Sequence, residues 1–360
     1  MRLLHCPCCK NQVYFENTSC EKCAAEFGFS PQKLDMVEIS NEAGHVACLN
    51  RAPTPVCNWV VDGEAALGLC ASCQLTSTIP PLDCQENLQR WVKSETAKRR
   101  LLYTLLTLGL TLNPKQKDGT GVEFRWLVPQ PGVPVMTGHD QGVITLNMLE
   151  VDDGQREVQR ERFNEYMRTV LGHLRHEVAH HLFDLHVRNT DRLTAFRQWF
   201  GDETQDYAKA LADHYAGGKE GKWQSNFVSA YAASHPLEDW AETTAHYLLM
   251  VDALETASAW GLSLSSQQVS AIDGAVSQPT DGLTRSFSNE VVARWLPIAR
   301  FLNAMSRSLG LRDSYSYLIP EPVLRKLQFV DETFRSIAPA AMEPQDAKVF
   351  AKESARMADA

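Results

Sequence analysis

Between residues 86 and 110 apolar positions recur at intervals of three and four. Leu88, Trp91 and Val92 lead into Leu101, Leu102, Leu105 and Leu106. That spacing predicts a helix. Asn113-Pro114 closes it, because the residue before a proline is pushed out of the α region. The cluster Lys98-Arg99-Arg100 on this helix reads as a solvated face. Two runs, Val122–Val128 and Val143–Met148, have the β-branched and aromatic character of strands, and a Pro- and Gly-rich stretch separates them. From about residue 155 the periodicity is helical, with no internal repeat. Leu171, Leu174, Val178, Leu182 and Leu185 form one stripe, and another helix opens near Ser234. A small sheet followed by helices predicts an α+β fold. Residues 1–85 are turn-rich instead, and residues 341–360, rich in Ala and charge, read as a flexible tail.

Composition narrows the class. With 44% hydrophobic and 22% charged residues, 360 residues suit a globular chain of two or three domains. The longest nearly apolar run, Leu101–Leu112, falls short of the roughly 20 residues that span a bilayer. A cysteine cluster follows Met1–Leu4 at once, which leaves no room for the apolar core of a signal peptide. A cytoplasmic protein with no membrane partner is expected. The net charge of −9 provides no field to attract phosphate backbones, so nucleic acid is not an expected partner.

All ten cysteines lie between Cys6 and Cys84, which marks a domain boundary near residue 85. Cys6/Cys9 and Cys20/Cys23 are two CxxC pairs, a spacing that brings four thiolates to the corners of a tetrahedron around zinc. Tyr14, Phe15, Phe27 and Phe29 are available as its small core. Cys48, Cys57 and the pair Cys70/Cys73 form a less regular second set, also read as structural zinc. The bland alternative there is that Cys48 and Cys57 are ordinary small buried residues. Cys8 is left over, and Cys84 reads as structural. Residues 1–85 carry five Lys/Arg against nine Asp/Glu, so this zinc-ribbon-like region suits an architectural or protein-binding role.

His176-Glu177-Val178-Ala179-His180 is an HExxH pattern. At helical i, i+4 spacing both imidazoles leave one face and can share a zinc ion, with Glu177 beside them as general base. At about 100° per residue the histidines lie nearly opposite the leucine stripe, so they face a cleft while the leucines pack inward. A catalytic zinc usually takes a third protein ligand. In Ser234–Leu249 the residues Ser234 or His235 can cap a helix, and Glu238 and Asp239 sit where the helix dipole favours acids. Glu242 lies one turn deeper, on a face with Ala245, Leu249 and Ala253, where a carboxylate must find a partner. Glu242 is therefore the expected third ligand, with Glu238 as the fallback.

Taken together these segments resemble the bacterial family of zinc-binding metallopeptidases with an N-terminal zinc-ribbon domain, of gluzincin type. The resemblance rests on CPxC…CxxC, CNWxV at Cys57–Val61, CxxCxLxxTIPxL at Cys70–Leu82 and KRRLLYTLL at Lys98–Leu106. It continues through TGHxxGVITLN at Thr137–Asn147, HxRHEVAHH at His173–His181 and SAYAxSHPxEDWAETxAHYL at Ser229–Leu248. It implies a zinc-ribbon module over 1–85 and a mostly helical, zincin-like peptidase domain over 86–340. It also implies peptide or protein substrates, and a GVITLN segment that resembles a substrate-pairing edge strand. Gluzincins carry an Asp four residues after the ligand Glu; counted from Glu242, that position is His246.

On this reading zinc held by His176, His180 and Glu242 polarises a peptide carbonyl, Glu177 takes the proton of the attacking water, and His235 or Tyr231 assists as a second electrophile. One catalytic and two structural zinc ions are expected. His139, His173, His181, His186 and His214 read as loop, surface or packing residues, and Trp240 and Tyr247 as core. Two alternatives use the same residues: a catalytically silent protein-binding module, and a zinc amidase acting on a non-peptide bond. The complete motif with its general base favours the peptidase.

Overall fold

The computed structural model describes residues 1–40, 44–52, 54–62, 68–116, 118–157, 169–217, 223–262, 294–315 and 317–338. The expected tail, 341–360, lies outside them.

The N-terminal region is built from three small antiparallel hairpins. They are β1 (Leu4–His5) with β2 (Gln12–Val13), β3 (Phe27–Ser30) with β4 (Asp35–Glu38), and β5 (His45–Ala47) with β6 (Val60–Asp62). Their core is aromatic: Phe29 lies 5.0 Å from Phe15 and 5.2 Å from Trp59, centroid to centroid. Tyr14, expected in that core, points to solvent. The chain then supplies β7 (Thr76–Thr78) and α1 (Gln85–Thr107). Tyr103 of α1 packs edge-on against Phe15 and Phe29, so the ribbon and the rest of the chain share one apolar core.

A four-stranded sheet follows: β8 (Glu123–Leu127), β9 (Gly138–Asp140) and β10 (Val143–Asn147) join β7 in the order β7-β8-β10-β9. Only the β9–β10 pair is antiparallel. Alternate residues Phe124, Trp126, Ile144 and Leu146 are buried, the period-2 signature of a sheet with one face in the core. The GVITLN strand, expected at an edge, is interior, and β9 takes the edge. Its hairpin turn, Gln141-Gly142, has positive φ at both positions, and a Cβ on Gly142 would meet Gly121 O at 2.4 Å.

The helices are α2 (Val170–His186), α3 (Arg192–Phe200), α4 (Tyr207–Tyr215), α5 (Pro236–Ala259), α6 (Leu296–Ser308) and α7 (Glu321–Ile337). α2 packs on α5 and α1, and α7 on α5 and α3. Leu174, Val178 and Leu182 are buried as the stripe predicts, whereas Leu185 at its end is exposed. Trp240 is core as expected, donating from Nε1 to Ala179 O at 2.8 Å, and buried Tyr247 bonds Asp331. None of the described helices is long and apolar enough to cross a membrane.

The solvated face expected at Lys98-Arg99-Arg100 is largely buried. Only Arg100 reaches outward, to Glu16 of the ribbon; Lys98 and Arg99 are enclosed. Lys98 Nζ sits 2.9 Å from Glu95 Oε2 and also bonds Thr76 Oγ1, while Glu95 Oε1 accepts from Trp126 Nε1 and Thr76 Oγ1. The Lys98 ammonium further lies over the Phe124 and Trp126 rings. A charge left unpaired in this position would cost several kcal/mol, so the lysine reflects its distant partners and not its neighbours in sequence.

Candidate metal centre and cleft

Thr169 caps α2 by accepting from Gly172 N at 2.9 Å, and the helix carries His176 and Glu177 to one wall of a cleft of about 720 Å³, with His180 one turn further along. α5 forms the opposite wall. Its N-cap is His235, whose Nδ1 accepts from Leu237 N, with Pro236 in the first turn. His235, one of the two residues expected there, is thus the cap. Glu238 is 1% exposed and turns toward α2.

There it meets both histidines. Glu238 Oε2 is 3.0 Å from His176 Nε2, Glu238 Oε1 is 3.6 Å from His180 Nε2, and the two Nε2 atoms are 3.2 Å apart. In a tetrahedral zinc site with bonds of about 2.0–2.1 Å, neighbouring ligand atoms stand roughly 3.3 Å apart. The three observed separations bracket that value. Glu238 Oε2 makes no hydrogen bond despite being buried, as expected of lone pairs aimed at a common point and not at one another. The residues therefore fit a metal ion.

Glu242, the expected third ligand, is elsewhere. Its Oε1 lies 2.8 Å from Nδ1 of His176, the ring nitrogen remote from the cluster, and its Oε2 accepts from Ser229 Oγ at 2.7 Å. The carboxylate on an apolar face does find partners, as the desolvation argument required; they are a histidine and a serine. Glu238, the fallback, takes the position given to Glu242, while still standing in the first turn where the dipole favours an acid. Once the third residue of the cluster is Glu238, the position four residues further on is Glu242, an acid, and the difference from the expected Asp narrows to one carboxylate for another. A carboxylate on Nδ1 fixes the tautomer that leaves Nε2 free to bind a cation.

The charges are mutually supporting. Burial disfavours the ionised forms of Glu238 and Glu242, but the histidines outweigh it and hold both carboxylates below their usual range. Burial would likewise lower His176, yet the facing carboxylates of Glu238 and Glu242 raise it well above an ordinary imidazole. Asp239, next to Glu238, turns away from the histidines and pairs with Lys326 at 2.6 Å.

Of the two residues expected to assist as electrophiles, one lines the site. The Tyr231 ring is 5.9 Å from that of His176 on the cleft wall, and burial, with Glu238 nearby, pushes its hydroxyl pKa far up, so it remains a donor. His235 has both ring nitrogens engaged, Nδ1 by Leu237 N and Nε2 at 3.2 Å from Gln205 O, so it is a cap. Sequence reasoning missed Tyr207, whose hydroxyl donates to Glu238 Oε1 at 2.6 Å. It sits 31 positions before its partner, and no local spacing announces it. His139, on β9, stacks on His180 with centroids 6.2 Å apart and accepts from Gly142 N at 2.9 Å. His173 contacts Glu150 at 3.0 Å, His181 is buried beside His139, and His214 lies 5.8 Å from Tyr231.

The ribbon gathers two further sets. Cys6, Cys9, Cys20 and Cys23 converge, and so do Cys48, Cys57, Cys70 and Cys73, with all sulfurs of a set within 4.8 Å of one another. The Cys6–Cys23, Cys9–Cys20 and Cys57–Cys70 separations are 3.7, 3.6 and 3.5 Å. These are far longer than a disulfide and close to the roughly 3.8 Å between thiolates on a tetrahedral zinc. Backbone amides of Cys9 and Cys8 help lower the Cys6 thiol to about 7. Trp59 N and Cys70 N likewise point at Cys57 and Cys48 sulfurs. Cys8 and Cys84 are exposed and belong to neither set.

Comparison with known proteins agrees with this layout. A family described as "Putative zinc-binding metallo-peptidase" matches residues 87–333, and a zinc-ribbon domain matches residues 3–84. Uncharacterized proteins of Mycobacterium bovis and Mycobacterium tuberculosis are 39% identical over 341 residues, covering 94% of this chain and 97% of theirs. No solved structure matches the chain significantly.

Proposed function

The chain belongs to the putative zinc-binding metallo-peptidases, and from that premise we propose that it hydrolyses peptide bonds, with His176, His180 and Glu238 as the zinc ligands and Glu177 as general base. The observation that carries the reading is the convergence of His176 Nε2, His180 Nε2 and Glu238, with His176 and its neighbour Glu177 facing a cleft. A zinc ion held there would supply Lewis-acid chemistry, acidifying a water and polarising a carbonyl.

The chain's own residues do the rest. Glu242 orients His176 through Nδ1, and Ser229 orients Glu242. Glu177 takes the proton of water as its oxygen attacks the carbonyl carbon, then delivers that proton to the amide nitrogen as the C–N bond breaks. Tyr231, kept protonated by burial, donates to the carbonyl oxygen as negative charge develops. Tyr207 positions Glu238.

The two cysteine sets hold one structural zinc each, and the ribbon is architectural or binds a protein partner. Zinc held by free thiols suits the reducing cytoplasm. The test is cleavage of a proteome-derived peptide library by the zinc-loaded protein. Cleavage that is absent in Glu177→Gln supports a peptidase. Zinc retention without cleavage of any peptide would favour the silent binding module, and hydrolysis confined to non-peptide amides would favour the amidase.

A further inference from the structure

The cleft contains much more apolar surface than its chemistry requires. Around His176 and Glu177 stand Met136, Tyr215, Trp223, Phe227, Leu249 and Leu318, contributed by five separate parts of the chain. Met136 precedes the edge strand β9, Tyr215 ends α4, Leu249 lies two turns along α5 from Glu242, and Leu318 precedes α7. Three of them are open to water: Met136 is 83% exposed, Tyr215 64% and Leu318 68%. Exposed apolar side chains scattered singly are ordinary; several that converge on one concave site mark a ligand surface.

Apart from Glu177, the acids and the arginine of the cleft are already engaged. Glu242 is held by His176 and Ser229, Glu150 contacts His173 at 3.0 Å, and Arg175 is paired with Asp252 at 2.8 Å. Arg175 is the sole arginine or lysine among the described residues of the lining. The surface offered to a substrate side chain is therefore aromatic and aliphatic.

We propose that this cleft selects polypeptide segments with a bulky aromatic or aliphatic side chain next to the bond presented to His176 and Glu177, and discriminates against charged ones there. The inference rests on the reading of the cleft as a peptidase site, which it deepens by naming the substrate class. Burying such a side chain among these residues removes apolar area from both partners, whereas a charged one would be desolvated against apolar surface.

The test separates binding from hydrolysis. Zinc-loaded Glu177→Gln protein is titrated with paired peptides identical except for Phe or Leu against Asp or Lys at the central position, and the active protein is assayed on the same pairs. Tighter binding and faster cleavage of the apolar members, each by at least about tenfold, are expected. Met136→Glu and Leu318→Glu, at exposed positions where folding is not at stake, should collapse that ratio and leave zinc content unchanged. Equal treatment of all pairs would overturn the selectivity while leaving a peptidase. An apolar preference in binding with no hydrolysis anywhere would uphold the ligand class and overturn the peptidase reading. No binding and no cleavage of any pair would overturn both.

Discussion

Glu242 holds His176 from behind, at 2.8 Å from Nδ1, while Glu238 faces the same ring from the front, 3.0 Å from Nε2. Two acids one turn apart on α5 thus grip one imidazole on opposite nitrogens, and their roles separate by which nitrogen each meets. Glu238→Ala should abolish zinc binding at this centre. Glu242→Ala should keep the ion but weaken it about 10–100-fold. Competitive chelation of each variant, read by metal analysis, checks the order; equal loss in both would show that the two acids share one role.

Glu177→Gln should retain zinc and fold while losing hydrolysis, because the amide keeps the shape but takes no proton. Tyr231→Phe should lower kcat by about 10²–10³ with zinc retained, whereas Tyr207→Phe should have a smaller effect that acts through Glu238. Steady-state kinetics on one peptide with metal content measured in parallel decides between them.

Metal analysis of the intact protein should give three zinc equivalents per chain. Cys48→Ser or Cys70→Ser should remove one of them and lower the unfolding midpoint, since a structural zinc contributes directly to folding. Retention of all three in either variant would rule out the second cysteine set.

Acid should weaken the fold through His246. Burial lowers this imidazole from 6.5 to about 4, and its Nδ1 lies 2.9 Å from the Tyr315 hydroxyl. Unfolded, it takes a proton near pH 6.5; folded, it resists until about 4. Between those values the unfolded state binds more protons, so stability falls as pH falls, by about 3 kcal/mol in all. Denaturant titrations of wild type and His246→Gln from pH 7 to 4 should show a shallower slope in the variant.

The parts of this molecule that sequence reveals are those set by local spacing. HExxH, both cysteine sets and the leucine stripe of α2 each depend on residues a few positions apart, where helical or turn geometry dictates what meets. The choice between Glu238 and Glu242 was not legible in the same way. Both sit on roughly one side of α5, and which of them meets Nε2 of both histidines depends on how α5 packs on α2 and on Tyr207 from a separate helix. Lys98 misled for a related reason. A basic triplet reads as solvated until Glu95, Thr76 and Trp126 are brought around it by a sheet formed from distant strands. Tyr207 and the edge position of β9 depend on tertiary packing in the same manner.

The placement of β7 has a consequence for any attempt to divide the protein. That strand arrives directly from the Cys70–Cys73 knuckle, yet its ladder partner is β8 of the following domain, and its Thr76 satisfies both Glu95 and Lys98. A chain cut at residue 85 would begin with an open flank on β8 and a buried ammonium–carboxylate pair missing its hydroxyl. Such a fragment offers a bare template for strand addition from its neighbours, so it should aggregate even though His176, His180 and Glu238 on α2 and α5 are all present. The cysteine module is, in this sense, the wall that closes the sheet.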